Sequence, residues 1–219
     1  MIAARLIQIV VLGSMAGVAL GAGQASPMKD WEGGIYRSDP AYRGQGSPEA
    51  VVPNAAFPRA PGDQNDPLNE CMPLGPFRMM ARDDIRFEIV QHGEKMVLLF
   101  EELSLGRVRV VNLGQPHRED AKPTWQGEAV GTWKGNVLTL DTRNFNDRTW
   151  LNGHGVRHSG QLHLVETFRF VDKGRAIEYV MRAEDPEALQ KPYSYTRRFR
   201  KDEQEFRDVS CVQSYPPLD

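Results

Sequence analysis

Along most of this chain apolar residues alternate with polar ones, in short runs separated by turn-forming residues. Ile85, Phe87 and Ile89 alternate with Arg86 and Glu88, and His92-Gly93-Glu94 then turns the chain into another such run. A period of two marks a strand with one buried face, because successive side chains point to opposite sides of a sheet. The texture predicts strands over 85–91, 96–102, 107–111, 129–133, 137–142, 161–170, 176–183, 193–200 and 206–212. Lys134-Gly135-Asn136 and Asp172-Lys173-Gly174 supply the positive φ values that tight hairpins need. Helical periodicity is nearly absent. The prediction is an all-β protein, an antiparallel up-and-down barrel of about eight or nine strands, because closure removes exposed edges. A sandwich is the alternative.

The amino terminus has a different pattern. Arg5 precedes an apolar run over 6–20, and Gly23-Gln24-Ala25 follows. This order matches a signal peptide over 1–25, with a mature start near Ser26 and export to the periplasm or the medium. The run falls short of the roughly 20 apolar residues of a good span, so no stable membrane insertion is expected after cleavage, and a retained anchor is the alternative. Residues 26–76 are rich in Pro, Gly and Asn and read as an extended segment, with a short helix over 28–35. The barrel domain then occupies 77–219.

Export bears on the two cysteines, Cys71 and Cys211. An oxidising compartment permits a disulfide between them, and closing a loop of about 140 residues is worth roughly 4–5 kcal/mol on the chain-entropy model. Two buried thiols are the other arrangement. The chain has 219 residues, 40% of them hydrophobic, enough for one sizeable core. Its net charge of −2 leaves no basic footprint, so no nucleic-acid partner is expected. There is no Gly-x-Ser-x-Gly elbow, P-loop, CxxC or dinucleotide fingerprint, so cofactor-free chemistry is the expectation. Composition fixes no oligomeric state.

Candidate chemistry concentrates over 123–170, which holds three of the five histidines and three of the four tryptophans. Alternation places Glu166 on one strand face with Leu162, Leu164, Phe168 and Phe170. Burying a carboxylate costs several kcal/mol unless it is paired or protonated. One expectation is therefore an ion pair with Arg197, which shares a face with Tyr193, Tyr195 and Phe199. The other is a catalytic carboxylate of raised pKa, with His158 as its proton-transfer partner. The loop over 143–160 is long for a connection between adjacent strands. Its Asn146 and Trp150, with Trp133, His163, Tyr195 and Arg197, are candidate ligand contacts at a barrel mouth. Both tryptophans also suit a role as core plugs.

His154, His158 and His163 are spaced H-x3-H-x4-H, but two lie in a Gly-containing loop with no accompanying thiol, so no metal is expected. Asp141 reads as a turn cap. Arg107, Arg109 and Arg118 read as a solvated edge, able to hold a carboxylate if one of them turns inward.

From Cys71-Met72-Pro73-Leu74-Gly75-Pro76 to Arg200 the chain resembles a group of exported bacterial proteins, most of them uncharacterised. The resemblance is carried by Pro123-Thr124-Trp125-Gln126-Gly127, Gly131-Thr132-Trp133, Leu138-Thr139-Leu140-Asp141-Thr142 and Phe145-Asn146-Asp147-Arg148-Thr149-Trp150-Leu151. His158-Ser159, Leu162-His163, Glu166, Asp185-Pro186 and Lys191-Pro192 complete it. The chain departs from the pattern at Gly160-Gln161 and Thr167. What the resemblance implies is a lipocalin-like barrel with a small-molecule cavity.

Two functions fit these expectations. The first is a cofactor-independent lyase or isomerase for a small aromatic or hydrophobic acid. There Glu166 and His158 would move protons; in a phenolic acid, protonating the side chain gives a quinone methide that loses CO2. The second is a non-catalytic carrier of a small hydrophobic ligand, in which an arginine neutralises Glu166.

Overall fold

The computed structural model describes residues 31, 33–102 and 106–207. Nine strands form a closed barrel in sequence order: β1 (Gly34–Ser38), β2 (Arg86–His92), β3 (Lys95–Phe100), β4 (Val108–Leu113), β5 (Glu128–Lys134), β6 (Val137–Arg143), β7 (His163–Val171), β8 (Ala176–Glu184) and β9 (Tyr193–Lys201). β1 closes the ring by pairing with both β2 and β9. The all-β barrel expected from the alternating pattern is the fold observed.

Three local expectations are corrected. The short helix expected over 28–35 does not run to its end, because Gly34 and Ile35 open β1, with Tyr36 buried between β2 and β9; residues 28–30 and 32 lie outside the described residues. Five residues showing little alternation carry too weak a period to announce a strand, and the sheet edges select it. At the other end, 206–207 are not in a strand, and the rest of the run expected over 206–212 lies outside the described residues. Finally, the ring is not antiparallel throughout, because β4 and β5 pair in parallel over Val111↔Ala129, Asn112↔Val130 and Leu113↔Gly131. Residues 114–127 carry the chain back along the barrel before β5 begins. A parallel pair needs a crossover of a dozen or more residues, and this segment has that length.

The inward positions of all nine strands line the interior, among them Phe87, Phe100, Phe168, Phe170, Tyr179, Tyr195 and Phe199. At one end Trp31 packs on Phe170 and Trp133, with ring centroids 4.9 and 5.7 Å away. Its Nε1 donates to the Tyr36 hydroxyl at 2.9 Å, which in turn donates to the Gly174 carbonyl at 2.7 Å. At the opposite end the short helix α1 (Gly75–Met79) inserts Phe77 and Met79, and Tyr195 donates its hydroxyl to the Phe77 carbonyl. Cys71, just before α1, is buried with φ of 60°; Cys211 lies outside the described residues. Among the described residues no helix is long and apolar enough to cross a membrane.

The crossover enters β5 through Gly127, whose φ is +68° and whose Cα faces the Arg143 carbonyl and the Phe145 ring. A Cβ there would sit 2.7 Å from the carbonyl oxygen and 2.8 Å from the ring. Left-handed backbone costs a non-glycine residue roughly 1–2 kcal/mol before any clash. Gly127→Ala is therefore expected to lower unfolding free energy by about 2 kcal/mol or more in a urea titration. A loss below about 0.5 kcal/mol would contradict this account of the crossover.

Candidate functional site: an enclosed ion pair beneath a lid

Three strands aim polar groups into the apolar interior. Arg109 points inward from β4, Thr142 from β6 and Glu166 from β7, each following the two-residue alternation of its strand. Glu166 is 0% exposed and Arg109 1%. Arg109 Nη2 forms an ion pair with Glu166 Oε2 and donates to Thr142 Oγ1 at 2.7 Å. Tyr179, opposite Phe168 on β8, donates its hydroxyl to Glu166 Oε1 at 2.8 Å. Both carboxylate oxygens are thus occupied. The guanidinium is not satisfied in the same way: its Nε and Nη1 are buried without a hydrogen-bond partner among the described residues. Burial and the neighbouring Glu166 charge push Tyr179 well above the ordinary phenol range. Tyr195 is driven the same way, and both remain neutral phenols.

The expected partnership of Glu166 with Arg197 is corrected. Arg197 donates from Nε and Nη2 to the Ala81 carbonyl at 3.2 and 3.0 Å, and its Cζ lies 5.3 Å above the Tyr195 ring. It lines a surface cleft of about 290 Å3 with Glu49 and Asp83. A chain carbonyl left open just past α1 captures it, and β4 supplies the interior cation instead. Arg109, read with Arg107 and Arg118 as part of a solvated edge, is the arginine that turns inward.

The long loop after β6 forms a lid over the α1 end. Phe145, Trp150, Leu151, Val156 and Leu162 are buried in it, and Trp150 bridges to Arg157. Buried polar contacts hold it. His158 is 0% exposed, with Nδ1 donating to the Ser159 carbonyl at 2.9 Å and Nε2 2.6 Å from Thr149 Oγ1. Because the carbonyl can only accept, a neutral His158 carries its proton on Nδ1 and accepts from Thr149. Asp185 accepts from Ser159 N and Oγ at 2.7 and 2.8 Å, tying the lid to the β8–β9 connection. Asn152 donates to the Pro48 carbonyl at 3.0 Å, so the Pro/Gly-rich segment covers the lid in turn.

His158 and Glu166 are therefore held by different partners, the lid and the barrel wall. The other expected contacts scatter as well. Trp133 belongs to the aromatic plug at the far end, donating to Gln91 Oε1 at 3.2 Å. Tyr195 faces the interior beside Tyr179, with ring centroids 6.3 Å apart. Asn146 lies at the rim, its backbone N–H donating to the Thr124 carbonyl at 2.8 Å. His163 is on the outer face, 3.0 Å from Asp141 Oδ2, and His154 pairs with Glu49. The three histidines have three separate partners, and among the described residues no three metal-ligating side chains cluster.

Asp141, expected to cap a turn, sits inside β6 on its outer face. It joins a surface chain in which His117 bridges Asp141 Oδ1 at 2.9 Å and Glu128 Oε2 at 3.1 Å. Burial alone would raise the Glu128 carboxyl, but bonds from Arg118 and His117 outweigh it and hold the group below the ordinary range. His117 lies in the crossover, outside the 123–170 stretch that holds both of its carboxylate partners, and no short motif announces it.

The fold and the enclosed cluster define the class: a closed all-β barrel with a capped interior and a buried ion pair. No protein-family model matches the chain, and no curated protein matches it.

Burial holds the His158 imidazole below its ordinary range, with the Ser159 carbonyl and the Asp185 and Asp147 charges opposing it more weakly. The unfolded chain then binds a proton that the folded chain refuses. Stability is full above the ordinary imidazole value of about 6.5 and falls as pH drops below it toward the depressed folded value. His158→Gln should flatten the slope of unfolding free energy between about pH 7 and pH 5.5. An unchanged slope would show that His158 is not the buried neutral group.

Proposed function

We propose that this protein is an exported barrel that binds a small hydrophobic or aromatic molecule without converting it. The observation that carries this reading is the buried Arg109 guanidinium, whose Nε and Nη1, three N–H donors in all, have no protein acceptor among the described residues. Leaving a buried donor unpaired costs about 1–3 kcal/mol, so a fold that tolerates three on one side chain is suited to an acceptor from outside the chain. The carrier reading is favoured over the lyase because Glu166 has both oxygens engaged and His158 both nitrogens. A proton shuttle needs a group free to meet its substrate. Export rests on the amino-terminal pattern over 1–25, with cleavage near Ser26 and a periplasmic or secreted mature chain. In that compartment Cys71 and Cys211 would form a disulfide, tying the α1 end to the carboxy terminus.

The mature protein is expected to bind the neutral dye N-phenyl-1-naphthylamine saturably, with fluorescence enhancement reversed by small aromatic competitors. It is expected to leave a panel of phenolic acids unchanged, with no CO2 released. Turnover of any of them, lost in Glu166→Gln while dye binding persists, would restore the lyase reading. Absence of both binding and turnover would leave a filled structural barrel.

A further inference from the structure

We infer that the interior site takes a neutral ligand bearing a carbonyl acceptor, a ketone, amide or ester, rather than a carboxylic acid in its ionised form. This deepens the binding reading and rests on it. The argument is one of charge and donors. Within the enclosed cluster Arg109 contributes one positive charge and Glu166 one negative, so the pair is neutral. Tyr179 and Tyr195 add none, because burial keeps both phenols protonated. Arg197 lies over the Tyr195 ring, but the Ala81 carbonyl holds it at the wall, where it shares a surface cleft with Glu49 and Asp83, so its charge is set against theirs. An ionised acid would therefore leave an uncompensated negative charge inside an apolar barrel, close to Glu166. Unpaired buried charge is among the costliest arrangements a protein can hold.

The donor count points the same way. What the site lacks is an acceptor, not a counter-ion: Arg109 Nε and Nη1 are the unsatisfied atoms. No aromatic face takes their place, for the arginines stacked on rings among the described residues are Arg86, Arg157 and Arg197. A carbonyl oxygen has two lone pairs and no charge, so it can accept from Nε–H and one Nη1–H, two of the three free donors, without changing the electrostatic balance. Glu166 and Thr142 already hold Nη2, so the guanidinium is fixed in orientation before any ligand arrives. Arg109 is then a ligand-binding residue, and Glu166 and Tyr179 are positioning residues.

The test uses two probes matched in size, 4-phenylbutan-2-one and 3-phenylpropanoate, each displacing N-phenyl-1-naphthylamine from the mature protein at neutral pH. The ketone is expected to bind at least about tenfold more tightly, a difference of about 1.4 kcal/mol. Its calorimetric enthalpy should be independent of buffer, meaning that no proton is taken up. An acid that binds as tightly as the ketone, with or without proton uptake, overturns the inference and leaves the binding reading standing. Failure of the dye and both probes overturns the binding reading itself. The double variant Arg109→Met/Glu166→Gln removes both charges at similar volume. Titrated directly with each probe by calorimetry, it should lose the ketone preference; a retained preference would remove Arg109 from the role. Arg109→Lys keeps the charge against Glu166 but not the planar donors, so it should reduce the preference too. If the double variant does not fold, an undiminished preference in Arg109→Lys overturns the role of Arg109 equally.

Discussion

One buried ion pair sets the terms for the rest of this barrel. Arg109 and Glu166 lie on strands β4 and β7, remote in sequence and brought together only when the ring closes. Either charge alone in an aromatic interior would be untenable. Together, with Thr142 on the guanidinium and Tyr179 on the carboxylate, they form a neutral unit whose carboxylate is fully engaged. Such a pair adds little net stability compared with apolar residues of the same volume, but breaking it leaves a stranded charge. We take its value to lie in specificity: it selects the closed register of β4 against β7 and leaves a fixed, partly unsatisfied cation facing inward.

That arrangement places demands on the neighbouring structure. β4 meets β5 only along the short parallel seam from Val111↔Ala129 to Leu113↔Gly131, and the crossover over 114–127 has to be pinned across it. His117 and Arg118 do this by bonding to Glu128, and Asp141 extends the chain of contacts to His163 on β7. The lid closes the α1 end of the barrel, and the pair inside is fully buried. The lid is held by neutral or well-satisfied polar groups, His158 on Thr149 and Ser159 on Asp185, rather than by apolar packing alone. Water exclusion strengthens the interior electrostatics and also raises the penalty for any group left unpaired.

The barrel was legible because alternation survives in eight strands, from Phe87 and Ile89 to Tyr195 and Phe199, and because Gly135 and Lys173-Gly174 mark tight turns. Glu166 was legible for the same reason: a carboxylate on an apolar face must have an explanation. Its partner was not. Arg109 and Arg197 both satisfy the inward alternation of a strand, and only the spatial order of the ring decides which one meets Glu166. β1 was hidden by its brevity, and the parallel seam by a crossover without a period of its own. His158 drew notice as a proton carrier, yet its position in sequence says nothing about the Ser159 carbonyl that fixes its proton on Nδ1. Local pattern therefore set faces and turns, while partner choice belonged to tertiary geometry.

The central claim is that Arg109 and Glu166 form one energetic unit. Unfolding free energies of Arg109→Met, Glu166→Gln and the double variant, from urea titration at neutral pH, test it most directly. The account predicts that each single change costs about 3–5 kcal/mol, because each strands the remaining charge, and that the double variant lies close to the parent protein. Losses that simply add, with the double variant the least stable of the three, would contradict it.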